Sequence, residues 1–312
     1  MKPKRYIITF SRRTDPAFFM DWFTDKVELG YCYVPNPFND KPYKVSLNSD
    51  DVIALNFWTK NPAKLTPYLD DLINRGFKYQ TFFITATNYP GYLESNSPDL
   101  VDTSAALDLI VDKFSKYAVW ARYDPIIITE KLSIEWHLSN FERLCKIWQD
   151  KTERVIVSKC HIDGAYKNIA PKLDKILREN GDKMIAIGYD DFVDLCLKMR
   201  DIAKQFGIEL SVCCSPGIKE RDSALLPQSQ CLSMKYLRKV IPDLEEIPIS
   251  KSQRKGSAVQ NYAPCRCVES KDIGGRGTCK NGCIYCYANR DGAFEQNIDP
   301  KSLWLSPNEL IL

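Results

Sequence analysis

This 312-residue chain has no apolar run near the ~20 residues a membrane-spanning helix needs, which excludes a helical membrane anchor within it. It has no internal repeat and no low-complexity tract, so a solenoid and a disordered array are excluded as well. An excess of charge of one sign is also missing. The 43 basic and 40 acidic residues leave a formal net charge of +3, too little for global attraction to nucleic acid or an anionic membrane. The opening stretch MKPKRYIITFSRRTD is basic but turns polar after a short strand-like run, unlike a secretory leader, so a cytoplasmic location is expected. Histidine is scarce. His137 falls within a helical pattern, where a structural role is expected, and His161 follows a strand end.

What is present describes a globular protein: 44% hydrophobic and 27% charged residues, over a length that suits one large α/β domain or two ordinary ones. Short β-type runs alternate with helical patterns. The runs are RYIITF (5–10), DVIALNFW (51–58), YQTFFITAT (79–87), AVWARYDPIII (118–128), ERVIVSKC (153–160) and IELSVCC (208–214). Weaker strand candidates lie near Tyr31–Pro35 and Lys183–Gly188. Helical patterns such as PAKLTPYLDDLINRG and IEWHLSNFERLCKIWQ follow the strands. This alternation predicts an α/β fold with a parallel sheet, a TIM-like or partial (β/α) barrel over residues 1–250. From about Lys251 the pattern dissolves, and residues 251–312 read as an appended cysteine-rich segment packed on the barrel mouth.

In such folds the active site gathers where strands run into the following loops. Those ends here carry Arg12, Arg13 and Asp15 in the first case, Thr59 and Lys60 in the second, and Thr85, Thr87 and Asn88 in the third. Arg122 and Asp124 end the fourth, Ser158, Lys159, His161 and Asp163 the fifth, and Cys213 and Cys214 the sixth. Strand ends turn polar wherever they leave a core, so each residue taken singly also fits a solvated loop. Taken together, Arg12, Arg13, Asp15, Lys60, Arg122, Asp124 and Cys214 are the expected catalytic set, with the cations suited to a phosphate- or carboxylate-bearing substrate.

The twelve cysteines carry the most chemistry. Cys32, Cys145, Cys160 and Cys196 sit in apolar or helical contexts and read as small buried hydrophobes. Cys279, Cys283 and Cys286 fall within eight positions of a glycine-bearing loop. In a reducing compartment such a cluster points to metal. Three thiolates can hold three corners of a [4Fe–4S] cube and leave one iron open for chemistry. Cys265 and Cys267, with Cys214 and Cys231, can form a second, closed four-thiolate site for zinc or another cluster. Alternatively Cys265 or Cys267 fills the fourth corner of the first cluster, giving an electron carrier, or the whole set binds zinc alone.

GCIYCYA within GGRGTCKNGCIYCYANR resembles the C-x3-C-x2-C loop of the radical S-adenosylmethionine (SAM) enzymes, especially their DNA-photolyase-like branch. The resemblance implies a [4Fe–4S] cluster on Cys279, Cys283 and Cys286, with Tyr285 as the aromatic residue beside the cofactor. It implies SAM at the open iron, a 5′-deoxyadenosyl radical, and an electron donor such as ferredoxin or flavodoxin. In that superfamily the loop follows the first strand, whereas here it follows the last unit; chain ends that lie close together would keep it at the same mouth. Over nearly the whole length, SRRTDPAFF, FWTKNP (57–62), RYDPI (122–126) and CRCVESKDIG (265–274) resemble an uncharacterised bacterial domain-of-unknown-function family.

The leading expectation is a radical SAM-type iron–sulfur enzyme acting on a small-molecule or nucleotide-like substrate. A zinc-stapled nucleic-acid-binding protein is an alternative, with KSQRKG and SRRTD as basic patches and a 12% aromatic content to stack bases. A closed-cluster electron-transfer protein is another.

Overall fold

The alternating runs settle into strands that pair in chain order. The computed structural model describes residues 5–10, 14–35, 41–162, 167–213, 217–249, 266–274 and 279–286. In its first half lie β1 (Tyr6–Phe10), α1 (Met20–Leu29), β2 (Tyr31–Pro35), β3 (Pro42–Ser46), β4 (Val52–Thr59), α2 (Leu69–Asn74), β5 (Gln80–Thr85) and α3 (Leu100–Phe114). There follow β6 (Val119–Ile126), α4 (Ile134–Trp148), β7 (Arg154–Lys159), α5 (Ala170–Glu179) and α6 (Tyr189–Gln205). β8 (Glu209–Val212), α7 (Met234–Val240) and β9 (Lys271–Ile273) complete the order.

Seven strands form one sheet in the order β8-β7-β6-β5-β4-β1-β9, every neighbouring pair parallel. The order never reverses through the six strands read from the sequence, so there is no switch point of the doubly wound kind. Among the described residues no pairing joins β8 to β9, and the sheet stays open there. Its strands are apolar on both faces, as parallel strands covered on both sides must be. One face packs Ile8, Leu55, Phe57, Phe82, Ala121 and Val157 under the helices. The other packs Ile7, Ala54, Phe83, Trp120 and Ile156 under Leu232, Tyr236, Leu237, Ile247 and Val268.

The helices start where the sequence supplies caps. Asp99 accepts from the Asp102 amide at 2.7 Å ahead of α3, and Ser133 accepts from the Trp136 amide at 3.3 Å ahead of α4. α4 buries a stripe of His137, Asn140, Phe141, Leu144, Cys145 and Trp148, at the spacing of one helical face.

Three expectations change. The Tyr31–Pro35 run is a strand, but it pairs antiparallel with β3 as a separate ribbon and stays outside the main sheet. Lys183–Gly188 contributes only a single bridge from Met184 to Thr129. Residues Lys271–Ile273, placed by the sequence in an appended tail, form β9 against β1, with Ile8, Thr9 and Phe10 opposite Lys271, Asp272 and Ile273. The segment after Lys251 therefore contributes to the sheet itself.

Candidate functional site: a cysteine loop at the carboxyl ends of the strands

The loop 279–286 is seated on the chain that follows β5. The Asn96 amide donates to Asn281 O at 3.2 Å, the Ile284 amide to Leu93 O at 3.1 Å, and Asn96 Nδ2 to Lys280 O at 2.8 Å. Tyr285 packs in a small core with Tyr89, Leu93, Ile127 and Leu173, its ring edge-on to Tyr89 at 6.0 Å. Gly282 makes the close approach possible. Its φ is +72°, and a Cβ there would lie 2.0 Å from Ser95 Oγ.

Glu94, which the sequence reading passed over, is the hub. One carboxylate oxygen accepts from Lys60 Nζ at 2.9 Å and from the hydroxyls of Thr87 and Tyr285; the other accepts from Ser97 Oγ at 2.7 Å. Burial alone would raise its pKa, but the Lys60 charge and these donors hold it below the usual carboxylate value. Lys60, itself only 9% exposed, also donates to Thr87 Oγ1 at 2.9 Å. Burial disfavours its charge, yet Glu94, Cys283 and Asp124 outweigh that and raise its pKa. The post-β5 loop is braced from behind. Tyr89 OH donates to Pro125 O at 2.7 Å and accepts from the Ile127 amide at 3.0 Å, while Asn140 Nδ2 donates to Thr87 O at 2.9 Å.

Asp15 ties the first strand end to the same place. One oxygen accepts from the Ala17 amide at 2.9 Å and Thr59 Oγ1 at 2.6 Å; the other accepts from the Lys60 amide at 3.2 Å and from Asn281 Nδ2. Burial raises its pKa against those bonds. With both oxygens occupied, Asp15 holds the ends of β1 and β4 and the cysteine loop together. Asn281 Nδ2 also lies 3.4 Å from Cys279 Sγ, and its buried Oδ1 has no partner among the described residues.

The three thiols share one neighbourhood. Burial pushes the Cys283 thiol up to about 12, with the Lys60 charge opposing and Glu94 and Cys286 adding to the rise. Burial, Asp15, Cys283 and Cys286 likewise push Cys279 well up. Such thiols stay protonated until a cation binds and displaces the protons. The donor set fits a soft iron–sulfur group: three thiols, a glycine-pinned loop, and the Asn281 amide already pointed at sulfur. Among the described residues no three Cys, His, Asp or Glu side chains stand ready to hold a metal ion, so ligation requires the thiols to converge. Tyr285, the aromatic residue between Cys283 and Cys286, gives its hydroxyl to Glu94 within a packed core.

Arg122 and Asp124 form a second group beside the first. They pair as an ion pair, and Asp124 also accepts from Ser158 Oγ. The Arg122 guanidinium stacks over Trp58 at 4.8 Å. Its Nη1 lies 3.5 Å from Cys231 Sγ, and Cys231 Sγ lies 3.7 Å from Cys213 Sγ. Cys267 also interacts with Cys231, which places it beside this second group. Of the expected site residues, Arg12, Arg13, Cys214 and Cys265 lie outside the described residues, as do the KSQRKG patch and Asp163. His137 is structural, as expected. A carbonyl can only accept, so Nε2 donates to Ile127 O at 2.9 Å and Nδ1 accepts from Tyr123 OH at 2.6 Å. Glu94 and Asn281 had no signal beyond a lone acid and a lone amide in loops; only their long-range partners reveal them.

Comparison with curated proteins gives no match. Two solved structures of the pneumococcal protein StrH align over 94% of this chain at 10% identity. One, on inhibition of this virulence factor and N-glycan recognition and hydrolysis, is covered over 83% with a TM-score of 0.29. The other, on the tandem GH20 modules of the exo-β-D-N-acetylglucosaminidase, is covered over 85% with a TM-score of 0.31. Superposition that loose carries no argument about function. A family model does match nearly the whole chain, residues 7–288: the chain belongs to the domain of unknown function family DUF1848.

Proposed function

We propose that this chain is an iron–sulfur enzyme in which Cys279, Cys283 and Cys286 hold a [4Fe–4S] cluster over the carboxyl ends of β1, β4 and β5. The observation that carries the reading is the seating of the cysteine loop against Glu94, Lys60 and Asp15. A loop that only carried a metal staple would have no need of a buried ion pair beneath it. The association of Cys267 with Cys231 speaks against Cys267 as the side chain that closes the fourth corner, and this reading takes that corner as open. When bound, such a cluster supplies single electrons, and SAM at the open corner is the co-substrate this reading takes. The protein's own residues bind and orient. Arg122, held in plane by Asp124 and Trp58, offers its remaining donors to a phosphate or carboxylate of a small-molecule or nucleotide-like substrate. Glu94 keeps Lys60 charged and fixed, and the core around Tyr285 keeps water from the loop's far side. The sheet reads as part of an incomplete barrel whose mouth these residues line, and reduction calls for a donor such as ferredoxin or flavodoxin.

The test is anaerobic reconstitution with iron and sulfide, followed by reduction and electron paramagnetic resonance with and without SAM. The expected result is a cluster signal that changes when SAM is added, with 5′-deoxyadenosine formed under reducing conditions. A cluster signal indifferent to SAM, with no 5′-deoxyadenosine, would replace this reading with electron transfer. Zinc in place of iron would end it.

A further inference from the structure

Arg122 faces a group of sulfurs that the proposed cluster does not use. Cys213 follows β8, Cys231 lies in the loop after it, and Cys267 precedes β9, so three distant parts of the chain meet here. Backbone hydrogen bonds join the three parts. The Ser229 amide donates to Val212 O at 2.7 Å and the Val268 amide to Leu232 O at 2.9 Å. Arg154 fixes the loop that carries Cys231. Its guanidinium donates to Gln230 O at 3.1 Å and to Cys231 O, and lies 3.8 Å over the Tyr236 ring.

We propose that Cys213, Cys231 and Cys267 form a mononuclear thiolate site for a soft divalent ion of the zinc class, separate from the cluster loop. The sulfur spacing is the main argument. Two thiolates on one tetrahedral zinc, each about 2.3 Å from the metal, stand about 3.8 Å apart. Cys213 Sγ and Cys231 Sγ stand 3.7 Å apart. A disulfide would bring them to about 2 Å. Thiolates on different corners of an iron–sulfur cube would be spread further by the distance between the metals.

The charge and the outer contacts agree. A divalent ion with three thiolates carries one net negative charge, and the buried Arg122 guanidinium lies 3.5 Å from the central sulfur to offset it. Ser229 Oγ, 3.7 Å from the same sulfur, adds a second outer donor. Purely sulfur donors favour zinc over the hard cations. No trio among the described residues stands ready to hold an ion, so closing the shell takes side-chain rotation by the partly exposed Cys213 and Cys267 around the fixed, buried Cys231.

The experiment uses the full chain carrying Cys279→Ser, Cys283→Ser and Cys286→Ser, so that loss of the proposed cluster and loss of this site are read apart. The protein is stripped under reducing, anaerobic conditions and titrated with Co2+, then with Zn2+. Expected are one equivalent of Co2+ with sulfur-to-cobalt charge-transfer absorption and tetrahedral d–d bands. Zinc should slow alkylation of Cys213, Cys231 and Cys267 by about tenfold or more, read by mass spectrometry. Cys231→Ser should abolish the bands. If that buried substitution prevents folding, Cys213→Ser and Cys267→Ser, at partly exposed positions, should each weaken Co2+ binding by about tenfold or more. Absence of the charge-transfer band, its survival in the Cys231 variant or in both of the others, or alkylation indifferent to zinc would overturn the proposal. So would a Cys213–Cys231 disulfide in anaerobically purified protein.

Discussion

Changing Glu94 to Gln keeps the shape of the hub and removes its charge. Lys60 is then left buried, 9% exposed, facing Thr87 and a neutral amide. Breaking a buried ion pair from one side costs about 3–5 kcal/mol, most of it from the stranded charge. Lys60→Met strands Glu94 instead, but Thr87, Tyr285 and Ser97 still donate to that carboxylate, so the cost should fall at the low end, about 3 kcal/mol. The double variant strands neither charge. Its cost should therefore fall short of the summed single costs by about 3 kcal/mol or more, at the top of the range seen for contacting residues. Urea unfolding of the four proteins measures this through midpoints at constant slope. Amide exchange across 281–286 should rise in the Glu94 variant, because Tyr285 loses its charged acceptor. Single costs that add to within about 0.5 kcal/mol would refute the idea that Lys60 and Glu94 act as one buried unit beneath the cysteine loop.

Gly282→Ala should unseat the loop, and adding Ser95→Gly should remove the clash but leave about 1–2 kcal/mol of left-handed backbone cost, read by thermal unfolding. No rescue by Ser95→Gly, or no effect of Gly282→Ala alone, would contradict the close approach, and full rescue would contradict the backbone cost. His137 is buried neutral with a pKa lowered to about 4 by burial, against about 6.5 when unfolded. The unfolded chain therefore binds the extra proton between those values. The stability His137 contributes is complete above about pH 6.5 and is lost as pH falls toward 4, by up to about 3 kcal/mol. Stability measured from pH 7 to 4 should show a slope of up to about 1.4 kcal/mol per pH unit that His137→Gln removes; an unchanged slope would refute the assignment.

The six main strands were legible because a parallel strand covered on both faces is a nearly unbroken apolar run, and DVIALNFW and YQTFFITAT are such runs. β9 was not, since KDI is short and polar at two of its three positions and gains its place only by pairing with β1. The ribbon strand PYKVS escaped for a similar reason, with one strongly buried residue in five. Lys60, Asp15 and the cysteine loop do meet, as strand-end reasoning expected, because loops at the same end of a parallel sheet share space. Glu94 could not be read in advance: its importance lies in partners up to 191 positions away. The same holds for Cys213. The sequence reading paired Cys231 with Cys214 at the strand end, a residue outside those described, and the structure sets Cys213 Sγ 3.7 Å from Cys231 Sγ.

Iron and sulfide content per chain, measured after anaerobic reconstitution of the wild-type protein and of the variant with Ser at 279, 283 and 286, tests the central claim most directly. The account predicts about four of each in the wild type and none of that cluster in the variant. Equal iron and sulfide in the two proteins, or zinc without sulfide in the wild type, would contradict it.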